Sequence, residues 1–143
     1  MARAAADSLH LGWAWVGIAY DHYLNGRTVE AGETYALAAA VLQSRGETAG
    51  AVWAWNGRGV ALRQAGKFRE ARQAFGRVLA LVEGTGDVVN EATALDQIGR
   101  LEMMLGDPGR AVEYFQRSVE LNRRHRHHRE GLVPSVDLAK AWI

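Results

Sequence analysis

The chain contains no cysteine, so disulfide bonds and thiolate metal sites are excluded outright. That fits a reducing cytosol, and a cytoplasmic protein is expected. Nor does it carry an excess of either charge: 17 Lys and Arg against 16 Asp and Glu leave a net charge of +1. Nucleic acid and anionic membrane surfaces attract proteins with a clear basic excess, so neither is an expected partner. No apolar run approaches the ~20 residues that a bilayer span requires. Leu11 to Tyr20 comes nearest, but no small-residue cleavage site precedes Asp21-His22-Tyr23, and the stretch is not read as a signal peptide. Lysine is almost missing as well: only Lys67 and Lys140 occur, among many Arg, Ala and Gly, the composition of a G+C-rich genome. A catalytic constellation is also wanting. Ser8, Ser44, Ser118 and Ser135 stand in no nucleophile-elbow context, and Asp96 and Glu102, six apart on one helix, do not face each other. No enzyme activity, cofactor or metal site is expected.

What the chain does have is a period. From Trp55 through Gly59, Leu62, Gly66, Phe68, Ala71, Phe75 and Val78 to Leu81, apolar and small residues recur at three- and four-residue steps on either side of Gly66. This is the pattern of two amphipathic helices joined by a tight turn. Such a hairpin cannot bury its own apolar face and needs neighbours. One constant step finds them: Gly26, Gly66 and Gly106 at the turn, and Ala31, Ala71 and Ala111 at a small contact. The same step relates Tyr35, Phe75 and Phe115 as aromatic plugs, and Val41, Leu81 and Leu121 near the end of each second helix. In the first helices it relates Ala19, Gly59 and Gly99, then Trp15, Trp55 and Leu95. One offset satisfying six columns marks a stacked repeat. The expectation is an all-α fold of about seven helices, a right-handed solenoid of antiparallel hairpins forming one domain over residues 1–143.

The hairpins are expected at about 7–45, 49–83 and 88–124, with a partial fourth repeat over 130–143. Asp7 or Ser8 caps the first helix in this reading, Thr28 the second, and Glu47-Thr48 the third. Gly46 to Gly50 is read as a loop, and Gly84 to Asp87 as a break in which Asp87 caps the next helix. Gly106-Asp107-Pro108 is the strongest local signal: a glycine stop, an aspartate cap and a proline at the first helical position. Arg123 to Arg129, rich in Arg and His, is read as a solvated loop rather than a phosphate patch or metal site, since a flexible loop gives poor coordination geometry. Pro134 is placed in the first turn of the last helix, which carries Leu138, Trp142 and Ile143. A terminal helix this apolar points to self-association through that end or to a longer array.

These columns resemble the tetratricopeptide repeat. Trp55, Gly59, Gly66, Ala71 and Phe75 fit its pattern, as do Ile98-Gly99, Gly106, Ala111 and Phe115, and Trp15, Ile18-Ala19, Gly26, Ala31 and Tyr35. The usual repeat is shorter by six residues, and the additional ones are expected between the hairpins. The longer form, with Gly86-Asp87 and Glu91, is similar to repeats in bacterial signal-transduction ATPases that act as transcriptional regulators. Similar long repeats occur in kinesin light chains and spindle-orientation adaptors. Arg58 stands where leucine is usual, and His22 and Glu102 where a large apolar residue is usual.

The resemblance implies a concave groove, lined by the first helix of each hairpin, that holds a protein or peptide. Carried over, the groove residues are Trp13, Val16, Tyr20 and Tyr23; then Trp53, Asn56, Val60 and Arg63; then Thr93, Asp96, Arg100 and Met103. Aromatics and arginines suit protein binding because they bring large contact area at low entropic cost. The plainer reading has Trp13 and Trp53 packing against a neighbouring helix. A grip on acidic chaperone tails is excluded, because the positions that would clamp a carboxylate hold Val16, Tyr20, Gly57, Thr93 and Gln97. The implied role is signal transduction or transcription regulation through a bound partner; the alternatives are a free-standing, self-associating scaffold and, behind it, nucleic-acid binding through the Arg123–Arg129 run.

Overall fold

The computed structural model describes residues 2–129, and all of the regular structure in them is helical. Six helices follow one another: α1 (Ala2–Leu24), α2 (Thr28–Ser44), α3 (Thr48–Gln64), α4 (Phe68–Val82), α5 (Val88–Met104) and α6 (Pro108–Arg129). Each packs against the next, and α1 also touches α3, so the odd-numbered helices form one layer and the even-numbered helices the other. This is the expected helical solenoid. The expected seventh helix, with Leu138, Trp142 and Ile143, lies outside the described residues.

One turn builds most of the chain. Gly26, Gly46, Gly66 and Gly106 all have φ between 72° and 86°, the left-handed region that glycine enters without a side-chain clash. After each, the next amide closes onto a carbonyl five residues back: Arg27 onto His22 and Lys67 onto Leu62 at 2.9 Å, Glu47 onto Leu42 at 2.9 Å, and Asp107 onto Glu102 at 2.8 Å. That is the Schellman closure, which satisfies carbonyls left over at a helix end. Its last residue then starts the following helix, so three residues suffice for a connection.

The turn at Arg45–Glu47, between hairpins, is therefore the same device as the turn at Ala65–Lys67 within one. This corrects the expected placement of the additional residues. They do not sit in a long loop after Arg45; they lengthen the helices to 17 residues, about 26 Å each. Gly50, expected in a loop, is buried in α3 against Leu42 and Trp13. Only the connection from Glu83 to Asp87 is longer, and there the Glu91 carboxylate accepts the Gly84 amide.

Three further expectations are corrected at helix ends. Asp7 and Ser8 lie inside α1, which begins at Ala2, and the Ser8 hydroxyl accepts from Arg45. Arg27 and Glu47 are the N-cap residues of α2 and α3 without a side-chain cap, and Thr28 and Thr48 are the first helical residues. Arg123 to Arg129 is not a loop but the last two turns of α6; Arg123 and Arg124 both pair with Glu120, one turn back. Cations there also complement the negative end of the helix dipole. Asp87 and Asp107 do cap their helices, accepting from the amides of Asn90 and Arg110.

Between the layers, Ala31, Ala71 and Ala111 are fully buried. The rings of Phe75 and Phe115 lie where a side chain on Gly59 or Gly99 would stand: a Cβ there would come within 2.6 Å and 2.7 Å of them. Two of the three unusual side chains also find partners. Arg58 donates to the Gly32 carbonyl at 2.9 Å, and Glu102, 1% exposed, pairs with Arg72 at 2.7 Å. His22 supplies the turn carbonyl described above, while its ring Nδ1 is buried without a partner among the described residues.

Candidate functional site

Helices α1, α3 and α5 present their side chains to one face, and hydrogen bonds run across it. Gln64 donates to the Tyr23 hydroxyl at 2.8 Å, tying α3 to α1. Asn56 donates to Asn90 at 3.4 Å and Arg63 to Gln97, tying α3 to α5. On this face lies an open cavity of about 330 Å³, walled by Tyr20 and Tyr23 of α1, Trp53, Asn56, Gly57 and Val60 of α3, Tyr35 of α2 and Asn90 of α5.

Its floor comes from a break in the repeat. Phe75 and Phe115 sit over Gly59 and Gly99, but the corresponding residue of the first hairpin, Ala19, carries a methyl group and is itself fully buried. Tyr35 instead leans on Gly57 of the next hairpin, where a Cβ would meet its ring at 2.5 Å. The ring thus reaches from the even layer through to the face of the odd one. Tyr35 is 3% exposed, and burial first, then the nearby Tyr20 and Tyr23, pushes its phenol above the ordinary tyrosine value. Tyr20 and Tyr23 stack with centroids 6.4 Å apart. Trp53, 63% exposed, forms the opposite rim.

The polar side of the cavity is a relay of amides. Asp87 accepts from Asn90 at 2.8 Å, and Asn90 accepts from Asn56. The Asn56 Oδ1 is buried with no hydrogen-bond partner among the described residues. Among those residues no Lys, Arg or His lines the cavity.

Of the residues expected in a groove, the structure gathers Tyr20, Tyr23, Trp53, Asn56 and Val60 around this cavity. Trp13 is half-exposed, with its ring edge beside Gly50. Val16 is a correction: at 8% exposure it belongs to the core between α1 and its neighbours, because α1 is turned so that its 16–19 face points inward. Arg63 is spent on Gln97, Asp96 and Arg100 pair with each other at 3.1 Å, the Thr93 hydroxyl bonds back to the Val89 carbonyl, and Met103 is exposed. None of these residues lines the cavity or joins the five that do.

Tyr35, Gly57 and Asn90 are site residues that the sequence reading assigns elsewhere or passes over. The signal for Tyr35 is the methyl of Ala19 in a column otherwise glycine. Among the described residues no cluster of His, Asp and Glu could hold a metal ion, and no helix is long and apolar enough to cross a membrane.

Stacked antiparallel helix pairs that recur at one interval, from Gly26 to Gly66 to Gly106, with a side-chain-lined face made by the first helix of each pair, define a helical-repeat protein. The chain belongs to the tetratricopeptide repeat family, whose pattern matches it over residues 10–84 and again over 50–124. Among solved structures it is similar to the TPR domain of Arabidopsis FLU: 21% identity and a TM-score of 0.72, covering 84% of this chain and 98% of that one. At that identity the likeness shows the fold alone. No curated protein matches the chain.

Proposed function

We propose that the face formed by α1, α3 and α5 binds a protein or peptide, and that the chain is the sensing part of a bacterial regulator. Tetratricopeptide repeats serve generally in protein–protein interaction, and the long repeat form is the basis for the regulatory role. The observation that carries the binding reading is the cavity itself. Five of the residues expected from the repeat register meet around it, with three aromatic rings among them. Large aromatic side chains held on rigid helices are what an interface anchor requires. In a regulator, the partner would bind one state of the array better than another and shift the balance between them.

Selection of a random-peptide display library against the protein tests this. Peptides should be recovered whose binding falls at least tenfold in Trp53→Ala, while Arg100→Ala, remote from the cavity, changes it little. Recovery of none, or equal binding to Trp53→Ala, refutes the groove.

A second reading, assembly through the C-terminal end, is favoured by one observation. Val112 and Val119 of α6 are 51% and 67% exposed, whereas Gly32 and Ala39, at the same repeat positions in α2, are buried by the next hairpin. This α6 surface is where a further repeat or a second copy would stack.

A further inference from the structure

We propose that the aromatic cavity takes a cationic side chain, the guanidinium or ammonium of an arginine or lysine in the bound peptide. The inference rests on the groove reading and specifies the chemistry of its anchor.

Three features select the guest. The cavity is walled by Tyr20, Tyr23, Tyr35 and Trp53, and aromatic faces attract cations, Trp and Tyr most strongly. No basic residue among the described ones lines it to repel one. The carboxamide relay is polarised in one direction. Asn90 and Asn56 both spend amide hydrogens towards Asp87, and the chain ends in the Asn56 Oδ1, an acceptor that no donor among the described residues satisfies. Asn56 and Asn90 both line the cavity, so its polar side is made of carboxamide dipoles rather than of positive charge.

A carboxylate guest is disfavoured by the same features. It would meet electron-rich aromatic rings, with no Arg or Lys among the described lining residues to neutralise it. Size agrees as well: about 330 Å³ is room enough for one long side chain.

The test uses four pentapeptides, Ac-Gly-Gly-Xaa-Gly-Gly-NH2 with Xaa arginine, lysine, leucine or glutamate, titrated into the ¹⁵N-labelled full chain at millimolar concentration. Arginine and lysine peptides should shift the Trp53 indole signal and bind about tenfold tighter than the leucine and glutamate peptides. Trp53→Leu and Tyr20→Leu should each remove most of that preference. Tyr20→Phe, which keeps the ring face, should retain it. Both residues are more than half exposed, so the variants should fold, and far-UV circular dichroism checks this.

Leucine or glutamate binding as tightly as arginine overturns the proposal, as does arginine binding that Trp53→Leu leaves unchanged, or no binding of the arginine peptide at all. The groove reading fails separately. If the display library yields peptides that need Trp53 but carry no Arg or Lys, the groove stands and the cation site falls. If it yields none, both fall.

Discussion

At the scale of single residues, the helical glycines divide into two groups that look alike in the sequence. Gly59 and Gly99 make room for phenylalanine rings, whereas nothing lies within 4 Å of a Cβ at Gly17 or Gly76. Gly59→Ala and Gly99→Ala should therefore destabilise the fold by about 1–3 kcal/mol through overpacking. Gly17→Ala and Gly76→Ala should stabilise it by about 0.5–1 kcal/mol, because alanine is the better helix former. Urea denaturation of the four variants reads the difference in sign.

The Arg72–Glu102 pair is asymmetric too: Glu102 has a side chain 2% exposed, Arg72 one 36% exposed. Removing Arg72 strands a buried carboxylate, so Arg72→Ala should cost about 3 kcal/mol. Glu102→Leu leaves an arginine that can turn to water, and it restores the leucine that the second hairpin carries at Leu62. By the same reasoning it should cost less than about 1 kcal/mol or stabilise. Equal losses in the two variants under the same denaturation would refute this account.

Tyr35 gives a third residue-scale expectation. Its phenol is raised above the ordinary tyrosine value, so the folded state holds the proton more tightly than the unfolded one. The stability that this represents is complete below the ordinary tyrosine pKa of about 10 and is lost as pH rises through the higher folded value. Ultraviolet titration in the alkaline range should show one tyrosine ionising above the ordinary tyrosine range, and Tyr35→Phe should abolish that late step.

At the scale of elements, one glycine turn, used at every connection but one, sets where α1, α2, α3 and α5 stop. Gly46 repeats the turn of Gly26 and Gly66 although it joins two hairpins rather than two helices of one. The step from Gly26 to Gly66 passes over this halfway turn, since it compares only like turns with like. The hairpins were legible because glycine stops, aspartate caps and apolar spacing are local signals. The last two turns of α6 were not, because Arg and His in a row have no apolar face to mark them. The Glu120 carboxylate, held below its usual range by hydrogen bonds from Arg124 and Arg123, adds to their helicity. A lowered folded value means that the contribution is present above the ordinary carboxylate range and fades as pH falls through that lowered value. Residues 121–129 should lose helical amide shifts in an acid titration before α1–α5 do, and in Glu120→Gln that end should be frayed already at neutral pH.

At the scale of the whole molecule, both ends of the described array leave apolar side chains open. α1 exposes Leu11 and Ile18, and α6 exposes Val112 and Val119, the latter two on the side where another helix would stack. Light scattering over a concentration series should show a mass that rises above the monomer, and Val119→Glu should lower it. A concentration-independent monomer mass counts against assembly through this surface.

The sequence alone determined the all-helical class, the hairpins, the turn glycines and the period that relates them, because each rests on contacts between residues close in the chain and on copies of those contacts. Only the tertiary structure decided which aromatic rings meet. Tyr35 packs onto Gly57 of the following hairpin, and an amide chain from Asp87 ends at Asn56 in another hairpin. Those contacts join residues that no local pattern relates, so the cavity existed in no single repeat and appeared only once the repeats were stacked.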